Sequence, residues 1–260
     1  MITITICDDE SKNMPDFEKI TSKYYAHWLG TDEIPRNNKV NIIYNPERDT
    51  VQKGYSSPMN LYLLYKNKTL NISVGEKGKI IADNFVKDLD KFDDIEYIKE
   101  VLKKYSLNAR HSYKYVFRKQ AELDKNDSLL LKDIDLNLYL SFLEIHQNLD
   151  DYSWAEEYFL RFVKKEICHG IVVDGLLVCA TDTPDMPYME NCAQEIGVNT
   201  LEKYRRKGYA KMACLSTIKE LISKNICPLW STGSDNISSH NLALSAGFEK
   251  YCDVLTVSFD

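Results

Sequence analysis

Hydrophobic positions early in the chain switch between two periods. Phe17, Ile20, Tyr24 and Trp28 recur at helical spacing, with Pro15 at the helix-opening position and Gly30 near the end. Strand-like runs follow at Val40 to Tyr44, Leu61 to Tyr65 and Leu70 to Val74, the last two joined through Lys66-Asn67-Lys68 as a predicted hairpin. The period then lengthens again. Ile80, Ile81, Phe85, Leu89 and Phe92, then Ile95, Ile98, Val101, Leu102 and Tyr105, predict two helices broken around Asp93-Asp94. Tyr113 to Arg118 reads as a further strand, and the polar stretch Gln120 to Ser128 is the candidate boundary between two lobes. The first lobe, residues 1–125, is α+β in outline and carries no motif with chemistry of its own. Its tyrosines either wall a pocket or pack half-buried, and packing is the commoner role.

Beyond the boundary, Leu136, Leu140, Leu143 and Gln147 mark one helix, and Ser153-Trp154-Ala155-Glu156 reads as a capping box opening a second. Ile171 to Val173 and Leu176 to Val178 are strands joined by Asp174-Gly175, a strong hairpin signal. Pro184 and Pro187 place a loop before Glu195-Ile196-Gly197-Val198, which reads as a strand. Ala210, Ala213, Cys214, Ile218, Leu221 and Ile222 then fall at helical spacing up to Asn225, with Pro228 preventing continuation. Pro228 to Ser231 is the next strand, and a helix from Asn236 to Ala246 stops at Gly247 before closing strands reach Phe259.

Between the Glu195 strand and the Ala210 helix lies Tyr204-Arg205-Arg206-Lys207-Gly208-Tyr209-Ala210-Lys211. Free N–H groups at a helix N-terminus point outward, a glycine lets a ligand approach the backbone, and three cations add charge, so a pyrophosphate suits this turn. The pattern Arg205-x-x-Gly208-x-Ala210 resembles the acyl-CoA signature of the GNAT N-acetyltransferase superfamily. Asn236-x-x-Ser239-x-x-x-Ala243-x-x-x-Gly247-Phe248 is similar to the helix that flanks the cofactor in the same superfamily. More narrowly, the leading lobe, the Asp174-Gly175 hairpin and the Trp230 strand resemble a two-lobed bacterial group that includes zwittermicin-resistance acetyltransferases.

The resemblance implies an α/β (α+β) GNAT domain over residues 126–260, a mixed, splayed sheet flanked by helices with acetyl-CoA in the splay, preceded by the α+β lobe, which could be a diverged copy. It implies that backbone amides from Arg206 to Lys211 hold the pyrophosphate, with Arg205 in the signature and Asn236 and Ser239 reaching the cofactor from the second helix. Asn236 and Ser239 are equally read as a helix cap and a surface polar residue. Strand N–H groups at Ile196 and Val198, around a bulge at Gly197, would pair the pantetheine arm and polarise the thioester carbonyl. Otherwise Gly197 makes room for a neighbouring side chain.

Acetyl transfer to an amine needs a held thioester, a neutral nucleophile and oxyanion stabilisation. Glu195 occupies the place of the family's general base, with a solvent-facing or ion-paired carboxylate as the alternative. Where many members carry a Tyr that protonates the leaving thiolate, this chain has Ala243, and Ser239, His240 and Tyr251 are the candidate substitutes. His111 and His146 have no identifiable partner, and Cys168 and His169 are strand neighbours pointing to opposite faces.

Charge narrows the partners. A net charge of −6 and a sequence pI near 5.5 argue against nucleic acid and against anionic membranes. Seven cysteines without a Cys-x-x-Cys pair suggest reduced thiols of a cytoplasmic protein and no metal site. Met1 to Ile6 lacks the basic flank of a signal peptide. The activity expected is N-acetyl transfer to the primary amine of a small molecule. The alternative is a non-catalytic acyl-CoA-binding or sensing module.

Overall fold

The computed structural model describes residues 15–119, 128–147 and 151–259. The predicted boundary falls almost wholly on 120–127, and the opening Met1 to Ile6 on 1–14, both outside the described residues.

The helical spacing from Phe17 becomes α1 (Phe17–Leu29), ended by Gly30 in the left-handed conformation. Its cap is Asp16, whose carboxylate accepts from the Lys19 N–H, so Pro15 lies one residue outside the cap and not at the first helical position. Then come β1 (Val40–Tyr44), β2 (Leu61–Lys66) and β3 (Thr69–Val74), with β2 and β3 paired antiparallel as the hairpin pattern requires. α2 (Lys79–Lys87) and α3 (Ile95–Lys104) follow, the second capped by Asp94 at the predicted break. β4 (Arg110–Phe117) closes the first half.

The second half comprises β5 (Leu129–Leu130), α4 (Leu136–Gln147), α5 (Ala155–Val163), β6 (His169–Val173), β7 (Leu176–Asp182), β8 (Ala193–Glu195), β9 (Gly197–Thr200), α6 (Tyr209–Ser223), β10 (Cys227–Gly233), α7 (Ile237–Ser245) and β11 (Phe248–Val257). The capping box expected at α5 does not form. Trp154 is the cap residue, and the Ser153 hydroxyl donates instead to Asp151 (3.0 Å), a carboxylate two residues away that outcompetes the helix N-terminus.

Two sheets result. The larger runs β1-β3-β2-β11-β4-β10-β8, antiparallel except for β1 with β3 and β10 with β8; the smaller, β5-β6-β7-β9, is antiparallel throughout. Both faces of β2 and β3 are covered. Leu61, Leu63, Leu70, Ile72 and Val74 pack with Phe85, Ile98, Val101 and Leu102 of α2 and α3, while Tyr62 and Leu64 join the main core under α1. Each such side chain stabilises the fold by roughly 1.5–3 kcal/mol through burial. The large sheet crosses residue 125: β4, early in the chain, lies between β10 and β11 and pairs antiparallel with both.

Candidate active site

The segment read as one strand, Glu195 to Val198, is broken at Ile196, and its halves belong to different sheets. β8 runs parallel to β10 as far as the pair Glu195 and Leu229. From there β9 turns away to pair with β7, while β10 continues beside β4. The Ile196 N–H still donates to the Leu229 carbonyl (3.2 Å), the last bond before the strands part. That donor is therefore occupied, unlike the free group expected for a pantetheine arm. Val198 lies beyond the parting and lines the gap.

The gap is a cleft of about 870 Å³, walled by Gly197, Val198 and Asn199 on one side and Trp230 to Gly233 on the other. At its mouth stands the basic turn. Gly208 caps α6 with φ 84°, no side chain caps the helix, and a methyl placed on Gly208 would meet nothing within 4 Å. The first-turn amides of Tyr209, Ala210 and Lys211 are thus open to an anion. Arg206 adopts φ 61°, Arg205 Nε donates to the Thr200 carbonyl (3.2 Å), and the Lys207 ammonium sits 5.0 Å from the Tyr204 ring centre. Arg205, Arg206, Gly208, Tyr209, Ala210 and Lys211 all line the cleft.

Asn236 and Ser239 line it as well, but each has a structural duty. The Asn236 side chain accepts from the Ser239 N–H (3.0 Å) as the cap of α7, and the Ser239 hydroxyl accepts from Trp230 Nε1 (3.1 Å). Of the three candidates for the missing acid, only Ser239 is at the cleft. The His240 ring pairs with the Tyr115 hydroxyl (2.7 Å), and Tyr251 stacks on Tyr25 with the Lys66 ammonium 3.1 Å from its ring centre. Ala243 is fully buried.

Glu195 does not face this cleft. It opens into a second one, about 800 Å³, lined by Tyr24, Tyr25 and Trp28 of α1, by Tyr55, and by Arg110, Ser112 and Lys114 of β4. The Ser231 hydroxyl donates to the Glu195 carboxylate. Burial, and after it the Glu195 charge, pushes the Tyr24 and Tyr25 hydroxyls well above the ordinary tyrosine value, so both stay protonated donors beside the carboxylate. Both clefts share Ser231, Thr232 and Gly233, so Glu195 stands where the second cavity meets the first.

Asp182 escaped the sequence reading. It ends β7 opposite Gly197, and a methyl on Gly197 would lie 2.0 Å from Asp182 Oδ1. Glycine at 197 therefore makes room for a carboxylate, the second of the two readings of that residue. Burial pushes the Asp182 carboxyl up to about 6, partly offset by the Tyr158 hydroxyl and reinforced by the Glu195 charge. Lys114 and Ser231 were also missed, although Arg110-x-Ser112-x-Lys114 puts polar side chains on one face of an interior strand, a legible anomaly. His111 and His146 do have partners. His111 Nε2 bonds Asp253 (2.9 Å), and His146 stacks on Phe142 at the edge of the first cleft. Among the described residues no group of three or more His, Cys, Asp or Glu could hold a metal, and no helix is long and apolar enough to cross a membrane.

Among solved structures, a GNAT-family acetyltransferase from Colwellia psychrerythraea is 19% identical with a TM-score of 0.51, over 58% of this chain and 56% of that one. A GNAT-family protein from Novosphingobium aromaticivorans is 18% identical with a TM-score of 0.46, over 58% of this chain and 64% of that one. AAC(6')-Iy, solved with a CoA-containing bisubstrate analogue, is 16% identical with a TM-score of 0.41, over 48% of this chain and 91% of that one. The chain thus spans little more than half the length of the first two relatives, and the likeness is one of fold. No curated protein sequence gives a significant match. The model of the GNAT acetyltransferase family matches residues 67–253, well over half of the sequence and on both sides of residue 125, and the chain belongs to that family.

Proposed function

We propose that this protein is an N-acetyltransferase that moves the acetyl group of acetyl-CoA directly onto the primary amine of a small molecule in the cytoplasm. Members of the family use acetyl-CoA. The observation that carries the reading is the parting of β9 from β10 at Ile196, which opens a cleft ending at an uncapped, glycine-initiated helix flanked by cations. The turn from Arg206 to Lys211 would hold the pyrophosphate, and the pantetheine arm would lie between β9 and β10 with its thioester near Ser231 to Gly233. Glu195, entering from the second cavity, would accept the proton of the incoming ammonium. The neutral nitrogen then attacks the carbonyl carbon, the C–S bond breaks, the thiolate departs, and the second proton of the nitrogen passes to the thiolate or to solvent as the amide forms. With Ala243 in place of a tyrosine, the thiolate leaves unassisted or is protonated through Ser239. This is feasible because its parent thiol is a moderate acid, with a pKa near ~8.5.

Ala243 also supports a second reading, a module that binds acyl-CoA without turning it over. Calorimetric titration with acetyl-CoA, on wild type and on Gly208→Ala and Gly208→Glu, tests the shared premise. Both variants strain a position with positive φ, but only glutamate adds bulk and negative charge at the phosphate turn. Binding retained by Ala and lost by Glu is the expected result; no binding by folded wild type would sink both readings. Release of CoA in the presence of amines then separates enzyme from sensor.

A further inference from the structure

The second cavity has an electrical character that the cofactor cleft does not explain. The one carboxylate among its described lining residues, Glu195, is matched against two cations on the same face of β4, Lys114 and Arg110. Lys114 has no ion pair or hydrogen bond among the described residues. Burial holds it below the ordinary lysine value, with the Glu195 charge opposing. Arg110, exposed at the rim, is likewise unpaired. A third cation stands behind the wall. The Arg48 guanidinium is fully buried, 5.0 Å from the Trp28 ring centre and 5.6 Å from that of Tyr62, and its Nε and one terminal nitrogen have no partner.

An unpaired buried cation is costly unless something supplies its counter-charge. The carboxylate that lines the cavity with them, Glu195, is engaged by Ser231 and lies on β8, with β10 between it and β4, a backbone separation of the two strands of about 10 Å. The cavity over that face, about 800 Å³, has room for a small molecule between the two ends. A polycationic acceptor would meet two lining cations, with a third behind the wall, and one carboxylate, an arrangement that repels it. A molecule with one amine and one carboxylate fits both ends.

Resting on the acetyltransferase reading above, we propose that the acceptor is an amino acid or a close amino-carboxylate relative. Its amine is presented to Glu195 and Ser231, its carboxylate is held by Lys114 and Arg110, and its remaining atoms lie against the rings of Tyr24, Tyr55 and Trp28. Lys114 is the principal specificity residue. Arg110 attracts the carboxylate at the rim, and Arg48 adds positive potential from behind without touching the substrate.

The test is CoA release from acetyl-CoA with a panel of free amino acids, the primary amide of each, and polycationic amines such as spermidine and kanamycin. Free amino acids are expected to exceed their amides in kcat/KM by at least about tenfold, the usual minimum for losing a charge partner in a desolvated site. Lys114→Met should remove that preference by raising KM for the free acid, and Lys114→Arg should restore part of it. Calorimetric Kd for CoA, which occupies the other cleft, should stay within about twofold in both variants, as expected for a separate site, and this also shows that they are folded. Arg110→Gln gives a second, surface variant whose folding is not in question. Should amides or polycations turn over as well as free acids, or should CoA bind and no amino acid be acetylated, the proposal is overturned while cofactor binding stands. Should CoA not bind the wild type, the acetyltransferase reading fails and this one with it.

Discussion

Asp182 gives a prediction whose size follows from its surroundings. Its carboxyl sits against Gly197 and lines the first cleft, and burial raises its pKa from 3.8 to about 6. Because the native value is the higher one, the folded protein holds the proton more tightly than the unfolded chain does. Stability from this group is therefore complete below pH 3.8, declines as pH rises, and is lost once pH passes about 6. A change of that size is worth about 3 kcal/mol in all, of which about 1.4 kcal/mol falls between pH 5 and pH 8. Asp182→Asn keeps the shape beside Gly197 and an acceptor for the Tyr158 hydroxyl, but cannot ionise. Urea unfolding of both proteins near pH 5 and near pH 8 should show wild type losing about 1.4 kcal/mol more than the variant across that interval, with Asn the more stable at the higher pH. Parallel pH dependences, or an Asn variant less stable near pH 8, would refute the idea that an ionised Asp182 is an uncompensated charge.

Three further outcomes follow from named contacts. Glu195→Gln should lower kcat for amine acetylation by about 10²- to 10⁴-fold, the usual contribution of a general base, with acetyl-CoA affinity unchanged; unaltered turnover in steady-state assays would remove Glu195 from the chemistry. Gly247→Ala places a methyl 1.7 Å from the Lys119 carbonyl oxygen at a residue with φ 98°. It should cost at least about 3 kcal/mol, a fall in Tm of about 6–12 °C by calorimetry. A fragment of residues 126–260 lacks β4 and so leaves the facing edges of β10 and β11 unpaired. It should give no cooperative melt by circular dichroism, and a sharp two-state transition would show that the second half folds alone.

Local signals in this chain were legible wherever one element determines them. The helical stripe of α1, the β2–β3 hairpin and the Asp174-Gly175 turn, with φ of 50° and 79°, are each specified by neighbouring residues. The glycine-initiated basic turn before α6 was equally readable, because glycine, cations and the strand-to-helix switch are contiguous. What the sequence hid was long-range. Nothing in Arg110 to Phe117 says that this strand is inserted between two strands more than a hundred residues later, since pairing leaves no mark on the pattern of one strand. Ile196 looked like the middle of a strand because strand propensity does not register a change of partner. Only Gly197, out of place among β-branched neighbours, pointed at the break, and the carboxylate that demands it lies fifteen residues earlier, in β7.

That long-range pairing also brings the two cavities together at one strand, as the proposed reaction requires. From Cys227 to Leu229, β10 is paired with β8, and from Leu229 to Gly233 with β4; beyond Leu229 the edge facing β9 has no strand partner among the described residues. A strand with one free edge offers backbone donors and acceptors to an extended ligand, and an acyl-pantetheine arm, with its two amides, is such a ligand. Alternation along the same strand sends Trp230 to the cofactor side, where Ser239 fixes it, and Ser231 to the Glu195 side. β4 supplies Lys114 opposite Ser231, so the lobe with no recognisable motif furnishes the cationic wall of the second cavity, and α1 furnishes the aromatic one. On the proposed reading, substrate choice would reside largely in the first 117 residues and cofactor binding in the last hundred. Substitutions in α1 and β4 should accordingly alter KM for the amine without altering the affinity for CoA, a separation impossible if the first half merely packed against a self-sufficient catalytic domain.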